Sequence, residues 1–180
     1  MRLKSGPFII AAGLGAALHF IVTLLGTGAT YLTSSSLFSD PARAFEVDQT
    51  PLVLASALSG LVCVCAAVFD FATGAGYSLL ARRSGEVDVG DGAIGGLASA
   101  LVARLISGVF GAAVSVAVTA LMFNQAGLSA GPESPSVIIA TVTGGAIGAV
   151  IGVCIGGVVG AMLGAAGGGV AAALASRSSA

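Results

Sequence analysis

Charge is what this sequence has least of. Its 180 residues include 7 Lys and Arg, 8 Asp and Glu and 1 His, so only 8% of the chain is charged. A soluble domain carries roughly 25%, and with so few ions neither a normal wetted surface nor a disordered tail can be built. The same shortage excludes nucleic-acid binding. Phosphate recognition needs clustered Lys and Arg, and here the formal net charge is −1. One His leaves no zinc set, and 3 Cys do not make a disulfide-stapled scaffold. Cys63 and Cys65 are two positions apart and point about 200° away from each other on a helix, so they are read, with Cys154, as small buried thiols. There is no GxxxxGK phosphate loop and no haem-attachment motif. Catalytic residues, cofactors and metals are therefore not expected.

What is present instead is 56% hydrophobic residues with 28 Gly, at a mean hydropathy of +1.05. The expected class is an all-α integral membrane protein, a four-transmembrane-helix bundle forming one domain over 1–180. About 20 helical residues cross the ~30 Å hydrocarbon core. Four apolar stretches meet that length: 8–32, 52–81, 93–123 and one that begins near Val137 and stays apolar to about Leu174. The last is longer than one crossing needs but has no polar turn for two. It is read as a tilted span over 137–166 that frays or breaks at Gly167-Gly168-Gly169, leaving an interfacial tail over 167–180; a re-entrant or two-span reading stays open. Pro51 and Pro135 sit at helix starts, where the missing N–H is harmless. Arg2 and Lys4 ahead of an apolar run imitate a secretory signal, but the run is too long, and a retained first span is expected.

Basic residues set the orientation. With the N-terminus in the cytoplasm, Arg2, Lys4, Arg82, Arg83 and Arg177 fall inside and Arg43 outside, in a loop with Asp40, Glu46 and Asp48. Both termini are then cytoplasmic, in a multi-pass protein of the cell (inner) membrane. Tyr31 and Tyr77 land near the expected interfaces, and Ser34 to Phe38 form an outer loop or short interfacial helix. The stretch from Glu86 to Gly92 reads as a solvated turn or a docking point for a cytoplasmic partner.

Between lipid-embedded helices, small residues supply close packing. The fourth helix repeats Gly144, Gly148, Gly152, Gly156, Gly160, Gly164 and Gly168 at every fourth position, and the third carries Gly95, Ser99, Ala103, Ser107, Gly111, Ser115 and Thr119. These two stripes predict glycine-zipper packing of helices 3 and 4. The groove serves either packing within the bundle or contact with a second copy, another membrane subunit or a lipid.

Three ionisable residues lie inside spans: His19, Asp70 and Arg104. Intramembrane charge is expensive unless paired or hydrated, so each is a functional candidate. Each is 12 residues from the cytoplasmic end of its helix, counting from Pro7, Arg82 and Gly92, which puts all three at roughly 18 Å depth in one midplane layer. The short connection after Arg82 makes helices 2 and 3 antiparallel neighbours, so Asp70 and Arg104 can pair. His19 shares a mildly polar stripe with Gly15, Thr23 and Thr27, suited to interhelical hydrogen bonds or a water file. Two readings follow. The layer is either a structural clamp in a non-catalytic accessory or assembly subunit or homo-oligomer, or a proton or ion path in a small transporter or channel. In the second, Asp70 titrates, Arg104 is its electrostatic partner and His19 a shuttle. Besides the lipid bilayer, the partners expected are other membrane subunits or a second copy through helix 4.

Overall fold

A computed structural model describes residues 3–39, 50–125 and 134–177, and all of the regular structure in them is helical. Helix α1 spans Ser5–Ser39, α2 Thr50–Arg82, α3 Val89–Gln125 and α4 Ser134–Arg177. All four are long and apolar enough to cross a membrane; the qualifying stretches among the described residues are Ser5–Ala29, Ser56–Arg82, Val89–Met122 and Val150–Arg177. A backbone surrounded by hydrocarbon must satisfy its own N–H and C=O groups, and the α-helix does so within one segment. In such a setting that requirement would override the poor helix propensity of glycine.

The helix ends follow local chemistry. Pro51 and Pro135 are the second residues of α2 and α4. Between α2 and α3 the chain turns at Gly85, whose φ of +132° is a backbone state only glycine adopts readily. Asp88 then caps α3, its Oδ1 accepting from the Asp91 N–H at 2.7 Å. Lys4 reaches across to the end of α2, its Nζ donating to the Ala81 carbonyl at 3.0 Å, as cations do at helix C-termini. One end of the bundle thus gathers Lys4, Arg82, Arg83 and Arg177. The outer loop with Arg43, Asp40, Glu46 and Asp48 lies outside the described residues.

Helices α2 and α3 form the centre, each packing against the other three. Among the described residues α1 and α4 flank this pair without touching each other, and α3 and α4 share the most extensive contact. The interior is built from small and polar groups. Its buried apolar residues are alanines and Tyr77, alongside buried His19, Asp70, Thr73, Ser78, Ser99 and Ser107, while Ile9, Leu25, Val109 and Met162 are exposed. This inverts the order of a water-soluble core, in which large aliphatic side chains are most often inside.

Several expectations are corrected. Helix α4 does not fray or break at Gly167-Gly168-Gly169; it runs unbroken to Arg177, because those glycines are clamped between α2 and α3. A Cβ on Gly167 would meet the Phe71 carbonyl, and one on Gly168 the Gly92 carbonyl. Ser34 to Phe38 continue α1 to Ser39 and do not form a separate element. Tyr77 is 2% exposed, its ring lying over Gly95 and its hydroxyl accepting from the Lys4 N–H at 3.4 Å. Cys63 and Cys154 are exposed rather than buried.

The small-residue stripes are also redistributed. The α3 positions that meet α4 are Gly92, Gly96, Ala100, Arg104 and Gly108, against Gly168, Gly164, Gly156 and Val153. The expected stripe from Gly95 lies one step around the helix, where Gly95 receives Tyr77 of α2 and Gly111 faces Thr23 of α1. Both stripes repeat every four residues, so spacing alone does not tell which one faces α4. On α4 itself, Gly160, Gly164 and Gly168 are in close contact, Gly156 lies near Arg104, and Gly152 faces open space. The surroundings of Gly144 and Gly148 lie outside the described residues.

Candidate functional site

One buried stripe of α2 runs through Ala66, Asp70, Thr73, Gly74, Tyr77 and Ala81. Its i, i+4 spacing turns Asp70 inward. From α1, Gly15 and Ala16 bring the backbone close to α2 and α3, which aims His19 at the same point. A Cβ on Gly15 would lie 2.5 Å from Thr73 Oγ1 and 3.1 Å from Ala103 Cβ. From α3 comes Arg104.

The three residues expected to share one layer meet. His19 Nε2 lies 2.6 Å from Asp70 Oδ1, and Arg104 Nη2 donates to Asp70 Oδ2 at 2.6 Å. Arg104 Nε donates to both carboxylate oxygens, at 3.1 and 3.0 Å. Asp70 is 0% exposed, while the Arg104 side chain is 25% exposed. An ionised carboxylate only accepts, so His19 Nε2 carries the hydrogen that joins them. His19 Nδ1 is then buried with no hydrogen-bond partner among the described residues. Helix α4 closes the fourth side with glycine. A Cβ at Gly160 would stand 2.8 Å from Asp70 Oδ2, so any larger residue there displaces the carboxylate.

Beside the triad is a cavity of about 250 Å³, lined by His19, Thr23, Arg104, Ser107, Ser115 and Gly156 among others. At ~30 Å³ per water, it has room for about eight molecules. A second cavity of about 370 Å³ shares Thr23, Val62 and Ser115 with the first and extends to Thr27, Ser59, Thr119 and Met122. Together they make a funnel-shaped cleft, mostly apolar but bearing several hydroxyls, that extends from the triad away from the basic end. On the other side of the triad the helices close in. Gly74 and Gly96 pack on the Gly164 backbone, and Ser78 Oγ donates to the Gly168 carbonyl at 2.8 Å.

The polar stripe of His19, Thr23 and Thr27 thus lines the funnel at three levels. Not anticipated from the sequence were the one-sidedness of the opening, the role of Gly160, and Thr73 and Tyr77 as wedges. Tyr77 had a signal, since it falls on the same stripe as Asp70. No group of three or more His, Cys, Asp or Glu suited to a metal occurs among the described residues. Gly127-Leu128-Ser129-Ala130-Gly131 matches the letters of a nucleophile elbow but lies outside the described residues. That motif requires a strand-to-helix turn, and here the flanking elements are the helices α3 and α4. Compared with known proteins, the chain matches no family profile, no curated protein and no solved structure.

Proposed function

We propose that this chain is a small, non-catalytic, multi-pass membrane protein that passes protons or ions through the His19–Asp70–Arg104 layer. One observation carries the reading: a water-sized cleft bearing Thr23, Ser107 and Ser115 reaches His19 and Arg104. A purely structural ion pair has no use for a water-sized approach, whereas intramembrane ionisable groups on transport routes face water-filled cavities. The inverted burial pattern, with aliphatic side chains outside and polar groups inside, supports integral membrane residence. The basic end supports an inner-membrane orientation with both termini in the cytoplasm. The funnel then opens outward, and the glycine-zipper packing of α3 and α4, joined by α2, is the inner seal.

Within this function the roles divide by chemistry. Asp70 is held by four N–H-to-oxygen contacts, one from His19 and three from Arg104, and it acts as fixed counter-charge. His19, joined to the carboxylate through Nε2 at 2.6 Å, is the shuttle. The competing reading, a clamp in an accessory subunit or homo-oligomer, draws on the complete burial of Asp70.

Reconstitution separates the two. Vesicles carrying the purified chain are expected to take up protons under an imposed potential faster than empty vesicles, and His19→Gln to abolish the excess. Uptake equal to that of empty vesicles, with a folded protein, contradicts transport and favours the clamp.

A further inference from the structure

We propose that the cavity beside the triad binds a small uncharged amide, a solute with a carbonyl oxygen for Arg104 and N–H groups for the hydroxyls around it. This rests on one part of the transport reading, that water and solutes enter the cleft, and not on proton movement.

Net charge selects an uncharged solute. The Asp70 carboxylate and the Arg104 guanidinium cancel each other. A cation entering the cavity finds no free carboxylate, because Asp70 is 0% exposed and both its oxygens are taken by His19 and Arg104. An anion finds no net positive charge. Either ion would leave its hydration shell without a counter-charge, at a cost that a neutral molecule does not incur.

Hydrogen-bonding capacity narrows the class. Arg104 commits Nε and Nη2 to Asp70, whereas its Nη1, with two N–H groups, has no hydrogen-bond partner among the described residues. Nη1 lies 3.8 Å from where a Cβ on Gly156 would stand, and both residues line the cavity. That point calls for an acceptor. The hydroxyls beside it call for the opposite. Thr23 Oγ1 donates to the His19 carbonyl at 2.9 Å and Ser107 Oγ to the Arg104 carbonyl at 3.2 Å, so each has its proton engaged and keeps lone pairs. A solute that answers both carries a strong acceptor and N–H donors on neighbouring atoms, as a primary amide or a urea does. Val22, Val62 and Val153 on the same wall suit a short alkyl group. At about 250 Å³ the cavity takes such a molecule together with several waters.

Acetamide, acetate and acetone have nearly one shape and separate these requirements. Saturation-transfer NMR on the purified full-length chain in detergent, against a protein-free blank, reads all three. Acetamide is expected to bind, and acetate and acetone to bind at least about fivefold more weakly, the effect of one hydrogen bond left unmade in a buried site. Thr23→Val keeps the shape, removes the lone pairs and lowers acetamide binding to a similar degree. Gly156→Ala sets a methyl at ordinary contact distance from Arg104 Nη1 and lowers it as well. Acetamide indistinguishable from the blank overturns the proposal. So does acetate or acetone binding as well as acetamide, or acetamide binding unchanged in both variants. Acetamide binding without proton uptake in vesicles removes the proton path and leaves this site; proton uptake without acetamide binding does the reverse.

Discussion

Arg104 grips Asp70 from the side, with Nη2 2.6 Å from Oδ2 and Nε shared between the two carboxylate oxygens. The two residues are 34 positions apart on antiparallel neighbours, so this contact fixes the register of α2 against α3. Removing either partner strands a buried charge.

Arg104→Leu is expected to destabilise the protein by on the order of 3–5 kcal/mol, the usual result of leaving a buried partner uncompensated. Asp70→Asn in the same background restores part of that loss, with a coupling of about 1–3 kcal/mol. Unfolding of the single and double variants in detergent measures both. Strict additivity would show that the pair does not act as a unit.

Glycines on one helix separate into two kinds. At Gly164 an added methyl meets Ala100 Cβ and lies 2.6 Å from the Gly96 carbonyl oxygen. Gly164→Ala therefore forces α3 and α4 apart, at about 1–3 kcal/mol. Gly152 has nothing within 4 Å, and Gly152→Ala is expected to be neutral or to stabilise by up to about 1 kcal/mol, the helix-propensity gain. Thermal unfolding of the two variants side by side tests the contrast.

The funnel predicts a pattern of access. In a background with Cys63, Cys65 and Cys154 replaced by Ala, Ser115→Cys should react with a water-soluble thiol reagent added from the outer side. Ser78→Cys, buried against the Gly168 carbonyl, should react from neither side. Labelling of position 78 from inside would mean that the lower half of the bundle is not sealed.

Orientation has its own test. Glu86→Cys, in the exposed turn beside Arg82 and Arg83, should label only from the cytoplasmic side of intact cells. Labelling from outside would reverse the topology and make the funnel open inward.

Much of this was legible in the residues. Four helices long and apolar enough to span a membrane follow from hydropathy and length, and the meeting of His19, Asp70 and Arg104 from equal counts along helices of alternating direction. Other features were not. Two small-residue stripes on α3, starting at Gly92 and Gly95, have the same period, and only three-dimensional packing decides which faces α4. The unbroken run of α4 through Gly167 to Gly169 depends on the Phe71 and Gly92 carbonyls across the interface, which no local propensity encodes. The funnel is a volume left between four helices, and sequence records the hydroxyls on its wall but not the space.

The most direct test is proton flux and folded fraction measured together for Asp70→Asn. Asn fills the same space but removes the carboxylate charge that joins His19 to Arg104. A proton path predicts flux at the level of empty vesicles from a protein that is still substantially folded. Flux that falls only in proportion to the folded fraction would contradict it, and the triad would then be a clamp.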